Sequence, residues 1–200
     1  MEGVIFDLGS VCFDIDWLKI DKEMKKTFGV TSLIRSSGNV MANKLYDEFQ
    51  EGKGSLQKVF EELGLETKKS DEAVAFYMEL YKKYNKSNEE IFKLIKSLKG
   101  KLKLICLTDT NEVHFQAYQE KNSLKDFDKI FTSFELGSIK SNPGTFKKIL
   151  NELEIKPEEL VFIDDNKMNI ENARASGINA IKYEDNEQLF KELKNIEFVK

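Results

Sequence analysis

The residues best suited to chemistry in this sequence share one placement, directly after a short apolar segment. They are Asp7, Thr108, Asp109, Asp164 and Asp165. Lys140 also follows such a segment, at a greater distance and just before Pro143, a residue that helps to open a helix. If the apolar segments are parallel strands, their carboxyl ends lie along one edge of a sheet, and these side chains converge there.

This set of side chains favours metal-assisted phosphoryl transfer. Carboxylates that converge repel one another, and a hard cation bound by oxygen ligands is the usual remedy. A carboxylate such as Asp7 can then attack phosphorus, while the cation and Lys140 offset charge on the transferring oxygens. The hydroxyl of Thr108 can donate to the same oxygens. The sequence therefore predicts a Mg²⁺ site next to a phosphate site.

Each of these residues by itself has a plainer interpretation. Asp7 could cap a helix or a turn, Thr108 could be a β-branched strand residue, and Lys140 could be a surface lysine. Their joint placement at consecutive strand ends weakens these interpretations. The adjacent pair Asp164 and Asp165 is the most informative, because two neighbouring carboxylates at a buried edge are costly without a cation.

Five short apolar segments predict the strands that would position this site. They lack strict alternation of apolar and polar residues, as strands covered on both faces do. The five segments are residues 4–6, 102–107, 129–131, 160–163 and 180–181. Amphipathic helix patterns lie at 112–121, 144–153 and 168–175, and a capping box at residues 87–90, with Ser87 as the cap, opens a further helix. We therefore expect an α/β fold with a doubly wound, parallel five-stranded sheet and crossover helices.

A long stretch between the first and second strand segments carries no convincing strand pattern. Helical spacing recurs in it, in patterns separated by glycines, at 17–28, 43–51, 55–63 and 71–84. We expect a core domain formed by residues 1–15 and 87–200, with residues 16–86 inserted as a helical cap domain.

The composition excludes several classes of protein. With 40% hydrophobic and 33% charged residues, the chain has enough apolar material for a folded core. A net charge of −4 argues against a general nucleic-acid binder. The amino terminus lacks a signal-peptide pattern and no segment approaches a membrane span, so we expect a cytoplasmic protein without membrane partners. Cys12 and Cys106 lie in apolar segments and are typical of small core residues.

Four segments of the chain resemble, in order and spacing, the four motifs of the haloacid dehalogenase (HAD) superfamily. They are residues 7–11 for motif I, 107–111 for motif II, 140–143 for motif III and 162–166 for motif IV. Residues 169–177 are similar to the family's motif IV helix, and residues 46–53 are similar to the helical cap of subfamily I. The resemblance extends to a branch close to bacterial glucose-1-phosphate phosphatases.

The resemblance implies a role for each motif residue. Asp7 would be the nucleophile, and the residues that bind the phosphate would be Thr108, Asp109 and Lys140. The Mg²⁺ ligands would be Asp7, Asp164, Asp165 and the backbone carbonyl of Gly9. The implied activity is a Mg²⁺-dependent phosphatase that hydrolyses a small phosphomonoester, such as a sugar phosphate, through an aspartyl-phosphate. The implied state is a monomer or homodimer.

One position departs from the family's phosphatases, which usually carry a second aspartate two residues after the nucleophile as general acid and base. Here that position is Gly9. General acid–base catalysis is typically worth about 10²–10⁴ in rate. We therefore expect that Asp14, Asp16 or a cap residue supplies the proton, or that the leaving group needs little help, as an anomeric phosphate does.

Three other functions fit parts of the pattern. A haloacid dehalogenase uses the same aspartate nucleophile without a metal and also lacks the second motif I aspartate, but it resembles the chain less at Asp164 and Asp165. A signalling receiver domain also combines acidic residues, a threonine and a lysine, but in another order and without an insert. A degenerate binding protein of the family is suggested by Gly9 alone. The phosphatase prediction accounts for more of the residues.

Several residues near the motifs are expected to have structural roles. His114 has no partner in the sequence pattern and is predicted to be structural, and Asn111 is predicted to cap the helix that follows it. Trp17, Tyr46 and Phe49 could lie near the cap entrance, but aromatic residues at helical spacing more often form a core.

Overall fold

The structure is a computed structural model that describes residues 1–121 and 124–196. Its strands are, in chain order, β1 (Gly3–Phe6), β2 (Phe13–Ile15), β3 (Asn85–Ser87), β4 (Lys103–Thr108), β5 (Lys129–Thr132), β6 (Leu160–Asp164) and β7 (Asn179–Lys182). Its α-helices are α1 (Trp17–Phe28), α2 (Val40–Gln50), α3 (Leu56–Glu62), α4 (Ser70–Tyr84), α5 (Glu89–Leu98), α6 (Glu112–Glu120), α7 (Ser133–Leu136), α8 (Gly144–Leu153), α9 (Lys167–Ala175) and α10 (Asn186–Lys194).

Five of these strands form a parallel sheet in the order β5-β4-β1-β6-β7, which confirms the predicted α/β fold class. β1 lies at the centre, where Phe6 pairs with Cys106 of β4 on one side and with Ile163 of β6 on the other. The chain fills one side of β1 with β4 and β5 and then the other with β6 and β7. In open α/β sheets, ligands bind at the carboxyl ends of the strands beside such a reversal of order.

The sheet is buried on both faces. Val4 and Phe6 belong to one hydrophobic cluster and Ile5, between them, belongs to a second, as the alternation of side chains along a strand requires. In the second cluster, the ring of Phe146 from α8 packs edge-on against Phe162 of β6, with 5.3 Å between centroids. Burial on both faces explains why the strand segments are apolar without alternation.

Helices α1 to α4 occupy the insert between β2 and β3. A side chain accepts a hydrogen bond from the first turn of three of them, and these caps are Asp16 for α1, Asn39 for α2 and Ser55 for α3. Helix α2 begins at Val40 rather than at residue 43, because Asn39 provides the cap. Two tyrosines of α4 join the insert to α6: the hydroxyl of Tyr77 lies 2.7 Å from Nε2 of His114, and that of Tyr81 lies 2.6 Å from that of Tyr118.

The two ends of the insert are tied together by a two-stranded antiparallel sheet, in which Phe13 of β2 lies opposite Ser87 of β3. The sequence did not predict these strands, because three residues are too few to show a periodic pattern. The prediction that Ser87 caps the next helix was wrong, since Ser87 is taken up by the strand. Helix α5 is capped one residue later by Asn88, whose side chain accepts from the N–H of Ile91.

Two expectations drawn from composition can be compared with the structure. Cys12 and Cys106 are buried free thiols, as their apolar surroundings predicted. Across residues 1–121 and 124–196, every helix is too short or too polar to span a bilayer.

Candidate active site

Asp7 lies immediately after β1, beside the reversal of strand order. Its N–H donates to the carbonyl of Ile163 at 2.9 Å, which extends the pairing of β1 with β6 by one residue. Its buried side chain accepts at Oδ1 from the N–H of Leu8 and from Nζ of Lys140, both at 2.7 Å. Backbone pairing and a buried ion pair therefore hold Asp7 at the edge of the sheet.

The turn after Asp7 folds the chain back on itself and reaches the next strand end. The N–H of Phe13 donates to the carbonyl of Leu8 at 2.8 Å. Ser10 adopts a left-handed conformation with φ 58°, which is unusual for a residue other than glycine and is typical of functional turns. The side chain of Ser10 favours the ionised form of Asp165 and opposes the effect of burial on the pKa of that carboxyl, so this turn lies beside the loop after β6.

The ammonium of Lys140 is enclosed by carboxylates, and the side chain is 1% exposed. Its Nζ lies 2.7 Å from Oδ1 of Asp7 and 2.6 Å from Oδ2 of Asp164. The backbone of Lys140 is held as well, because its N–H donates to Oδ1 of Asp109 at 2.8 Å and its carbonyl accepts from Nδ2 of Asn172 at 3.1 Å. The alternative that Lys140 is a surface lysine is therefore wrong.

Asp164 ends β6 and is completely buried. Its Oδ1 accepts from the N–H of Asn166 at 2.8 Å, and Nδ2 of Asn169 lies 3.1 Å from both carboxylate oxygens. Asn169 therefore orients Asp164, and these bonds together with Lys140 occupy the carboxylate. The neighbouring Asp165 is exposed, so its carboxylate is open to a ligand.

Thr108 and Asp109 come from the end of β4. Thr108 is buried, and Asp109 directly after it is half-buried. The carboxylate of Asp109 accepts from the backbone of Lys140, so this side chain positions the lysine loop. Since a carboxylate repels a phosphate, the part of Asp109 suited to phosphate binding is its backbone N–H.

The cluster of acidic side chains fits a metal ion. Asp7, Asp164 and Asp165 each offer a carboxylate oxygen, and these oxygens all lie within 4.8 Å of one another. Lys140 contacts only the first two, so negative charge remains in excess. Oxygen ligands with excess negative charge are the donor set that a hard cation such as Mg²⁺ prefers.

The same crowding shifts the pKa values of the site. Burial, opposed by Lys140 and reinforced by Asp164, raises the pKa of Asp7 to about 8. Burial also raises the pKa of Asp109, and partial desolvation of its carboxylate raises that of the otherwise exposed Asp165, with a further contribution from Asp164 to both. Burial disfavours the charged form of Lys140, but the carboxylates of Asp164 and Asp7 outweigh it and raise the pKa of the lysine. Lys140 therefore stays positively charged. A metal ion would favour the ionised forms of the acidic groups around it.

Gly9 leaves open space two residues after Asp7. A Cβ at Gly9 would meet nothing within 4 Å, and its φ lies outside the left-handed region. Asp16 is committed to capping α1, because it accepts from the N–H of Lys19 and pairs with Nζ of that lysine at 2.6 Å. Asp14 is exposed on β2. Within the described residues, neither Asp14 nor Asp16 belongs to the acidic cluster. Because Asp16 is also engaged with Lys19, it is a poor candidate for the proton donor.

His114 is a buried structural residue, as predicted. Its Nε2 lies 2.7 Å from the hydroxyl of Tyr77, its Nδ1 lies 3.2 Å from Nδ2 of Asn111, and its ring stacks on Tyr81 with 4.0 Å between centroids. Burial lowers the pKa of His114 to about 3, so the ring is neutral at pH 7. The prediction that Asn111 caps α6 is confirmed, because its side chain accepts from the N–H of His114 at 3.0 Å.

Ser133 joins the active site to the helical insert, and sequence reasoning missed it. Its Oγ accepts from the N–H of Thr110 at 2.9 Å and lies 2.7 Å from the carbonyl of Gln50, at the end of α2. The one signal that could have marked Ser133 is its position directly after β5. A serine at a strand end has many ordinary roles, so that signal is weak.

Comparison with known proteins identifies the family. The sequence model of the family described as haloacid dehalogenase-like hydrolase matches residues 11–183. The chain belongs to this family. This HAD-like hydrolase is 23% identical over 197 residues to D-ribitol-5-phosphate phosphatase of Bacteroides thetaiotaomicron, a match that covers 92% of each protein. It is also 22% identical over 201 residues to drimenol cyclase of Aspergillus calidoustus, covering 98% of this chain.

The extent of these matches differs between relatives. The chain spans 36% of the length of drimenol cyclase, and it spans almost the whole of the phosphatase. The chain is also similar to a solved structure of a HAD family enzyme from Bacteroides thetaiotaomicron, which was determined in complex with magnesium and inorganic phosphate. The TM-score is 0.73 at 22% sequence identity, and the match covers 95% of this chain and 99% of that chain. The likeness confirms the fold, and the family predicted from the motifs is confirmed.

Proposed function

We propose that this HAD-like hydrolase is a Mg²⁺-dependent phosphatase that cleaves a small phosphomonoester through an aspartyl-phosphate on Asp7. One observation carries the proposal: the Asp7 carboxylate lies 2.7 Å from the buried ammonium of Lys140, inside a cluster of carboxylates whose oxygens are within 4.8 Å of one another. A carboxylate nucleophile, a fixed cation and oxygen ligands for a metal are the parts that phosphoryl transfer needs.

The proposed reaction has two displacements at phosphorus. A carboxylate oxygen of Asp7 bonds to phosphorus while the bond to the leaving-group oxygen breaks, and that oxygen takes up a proton and departs as an alcohol. Water then attacks phosphorus, the acyl phosphate bond breaks, and inorganic phosphate and the Asp7 carboxylate are released. Hydrogen bonds from Lys140 and Thr108 to the non-bridging oxygens would offset charge in both transition states.

The acidic cluster would hold the metal ion. Asp7, Asp165 and the backbone carbonyl of Gly9 would bind Mg²⁺, with Asp164 completing the set directly or through water. When bound, Mg²⁺ supplies positive charge that offsets the charge of the phosphoryl oxygens. Because Asp164 is buried against Lys140, its main task is to hold that lysine, whereas the exposed Asp165 can face the ion.

Two comparisons support a phosphorylated substrate. The bacterial relative that matches over 92% of its length is named for D-ribitol 5-phosphate, a polyol phosphate. The similar bacterial enzyme was solved with magnesium and inorganic phosphate. We propose a sugar phosphate, a polyol phosphate or a similar small phosphomonoester as the substrate. The cytoplasmic location and the monomeric or homodimeric state stay predictions.

Phosphate release from p-nitrophenyl phosphate and a panel of sugar and polyol phosphates tests this proposal, with Mg²⁺ present or removed by a chelator. Asp7→Asn removes the charge of the nucleophile at nearly constant size, and we expect kcat/KM to fall by roughly 10⁵–10⁶-fold. Asp71→Asn, an exposed acidic residue in the first turn of α4, is the matched control. It should leave activity within about twofold. Turnover that survives the chelator or Asp7→Asn contradicts the proposal.

A haloacid dehalogenase is the second candidate, and Gly9 is the observation that favours it, because that reaction does not use an acid at this position. Its reaction needs no metal, so it does not explain why the carboxylate of Asp165 lies beside those of Asp7 and Asp164. Release of halide from a haloacid in the presence of chelator, with no release of phosphate from any phosphomonoester, would favour the dehalogenase.

A further inference from the structure

The helical insert contains a pocket of about 210 Å³, here called the cap pocket, lined by residues 32–36 together with Trp17 and Tyr46. We propose that the cap pocket binds the hydroxyl groups of the leaving group, so that the enzyme selects phosphomonoesters whose distal end is neutral and polyhydroxylated. This inference rests on the proposed phosphatase function, because it names the substrate class of the same site.

The walls of the cap pocket rest on the segment that carries Thr108 and Asp109. The ring of Trp17 packs edge-on against His114 in the first turn of α6, with 5.9 Å between centroids. Helix α2, which carries Tyr46, ends at Gln50, whose carbonyl lies 2.7 Å from Oγ of Ser133. The same Oγ accepts from the N–H two residues after Thr108. The pocket is therefore tied on two sides to the carboxyl end of β4.

Ser32 lines this pocket and has a buried hydroxyl that is unpaired among the described residues. The residue is 5% exposed, and its Oγ has no hydrogen-bond partner within the part of the chain that the structure describes. The loop around it is rigidly held, because the buried carboxylate of Asp21 accepts from the N–H of Ser32 at 2.9 Å and from the hydroxyl of Thr31 at 2.5 Å. A buried hydroxyl without a partner is costly, and a ligand oxygen would satisfy it.

Arg35 and its partners supply both donors and acceptors. Its guanidinium pairs with Asp47, lies 3.3 Å from Oε1 of Gln50 and stands 5.5 Å from the centroid of the Tyr46 ring. Because the Asp47 carboxylate already offsets its charge, the pair suits neutral hydroxyl groups better than a second anion. Arg35 is also close enough to Asp109 for its charge to oppose, weakly, the effect of burial on the pKa of that carboxyl, so the pocket lies near the end of β4.

The size and the aromatic walls fit the same ligand class. Pockets for drug-sized ligands typically have volumes of about 300–1,000 Å³, so a pocket of about 210 Å³ suits a chain of a few carbon atoms. Trp17 and Tyr46 add aromatic rings to the lining of the pocket, and aromatic rings suit the C–H surface of a polyol.

Two substrates of equal chain length separate hydroxyl recognition from phosphate recognition: a pentitol phosphate and n-pentyl phosphate. We expect Ser32→Ala to lower kcat/KM for the pentitol phosphate about fivefold and Arg35→Met to lower it roughly 10–10²-fold, with n-pentyl phosphate unchanged. Arg174→Met, which alters the only other arginine at an exposed site on α9, and Ser97→Ala on the exposed face of α5 are the matched controls. Equal losses on both substrates would overturn the inference.

A binding measurement separates this inference from the proposed function. Trp17 is the only tryptophan, so its fluorescence reports on the cap pocket. In the Asp7→Asn protein we expect a saturable change on adding pentitol phosphate, with a weaker affinity after Arg35→Met, even if the wild type hydrolyses nothing. Hydrolysis of phosphomonoesters without such binding would support the proposed phosphatase function but overturn the proposed role of the cap pocket. A preference for phosphoglycolate that Arg35→Met abolishes would also overturn it, since the pocket would then recognise an anion.

Discussion

The carboxyl edge of the sheet and the cap pocket are built in opposite ways. At the sheet edge the polar groups are buried and bonded to one another, with Nζ of Lys140 within 2.7 Å of both Asp7 and Asp164. In the cap pocket the side chain of Arg35 is 53% exposed, and within the described residues the hydroxyl of Ser32 has no partner. At the sheet edge Asp7, Lys140 and Asp164 already have partners and the exposed Asp165 is left for a metal ion, whereas the cap pocket has polar groups left for a substrate.

This difference has a physical consequence for function. Groups that are preorganised by their own contacts stabilise charge in the reaction without reorganising, so they act on every substrate alike. Groups that gain partners only when a particular leaving group binds discriminate between substrates. We therefore expect substitutions at the sheet edge to lower all activities together, and substitutions in the cap pocket to change the ratio between substrates.

Replacing Lys140 should have the largest effect and should not depend on the substrate. Lys140→Met leaves Asp7 and Asp164 buried without their cation, so we expect roughly 10²–10³-fold lower kcat/KM on every phosphomonoester and about 3–5 kcal/mol lower free energy of unfolding in chelator. Lys147→Met on the exposed face of α8 is the control. Urea unfolding and a substrate panel measure both effects, and a substrate-dependent loss would break the distinction between the two regions.

Restoring an acidic residue at Gly9 should raise the rate where proton donation limits it. The open space at this position can accept the side chain of Gly9→Asp without a clash. We expect up to about 10²-fold higher kcat on an alkyl phosphate, a poor leaving group, and little change on p-nitrophenyl phosphate. If both substrates respond equally, or neither does, the missing acid is not what limits this enzyme.

Ser133→Ala tests whether the two regions are coupled. Removal of the Ser133 hydroxyl leaves the N–H of Thr110 and the carbonyl of Gln50 without the buried partner that they share. We therefore expect the free energy of unfolding to fall by about 1–3 kcal/mol. We also expect the preference for the pentitol phosphate over n-pentyl phosphate to narrow, because the cap pocket loses one of its anchors. Ser97→Ala is the control, and an unchanged preference would show that the pocket is positioned without Ser133.

The smallest expected effect concerns acid stability at His114, the only histidine. Burial lowers its pKa from 6.5 to about 3, so the unfolded chain binds one more proton in that interval. The stabilisation is fully present above pH 6.5 and is lost as the pH falls toward 3, with a slope of up to about 1.4 kcal/mol per pH unit. Chemical unfolding of wild type and His114→Gln should differ by that slope, and parallel pH profiles would contradict it.

The positions of the five core strands and of most helices could be predicted because they depend on local pattern. The five core strands were found as apolar segments, and 17–28 was predicted as the helix that the structure shows as α1. The pairing of β2 with β3 could not be predicted, because it joins three-residue segments about 70 residues apart and carries no periodic signal. The prediction that Ser87 caps a helix failed for the same reason, because Ser87 belongs to β3 and Asn88 caps α5 instead.

The sequence by itself determined which chemical groups stand at the strand ends, because hydrophobic runs mark buried strands and the next residue is at the sheet edge. It therefore predicted that Asp7, Thr108 and Asp165 lie near one another. Only the tertiary structure decided that Lys140 is enclosed between Asp7 and Asp164, and that the Ser32 hydroxyl, near Arg35, has no partner among residues 1–121 and 124–196. These features depend on distances between atoms far apart along the chain, and packing of the whole fold sets those distances.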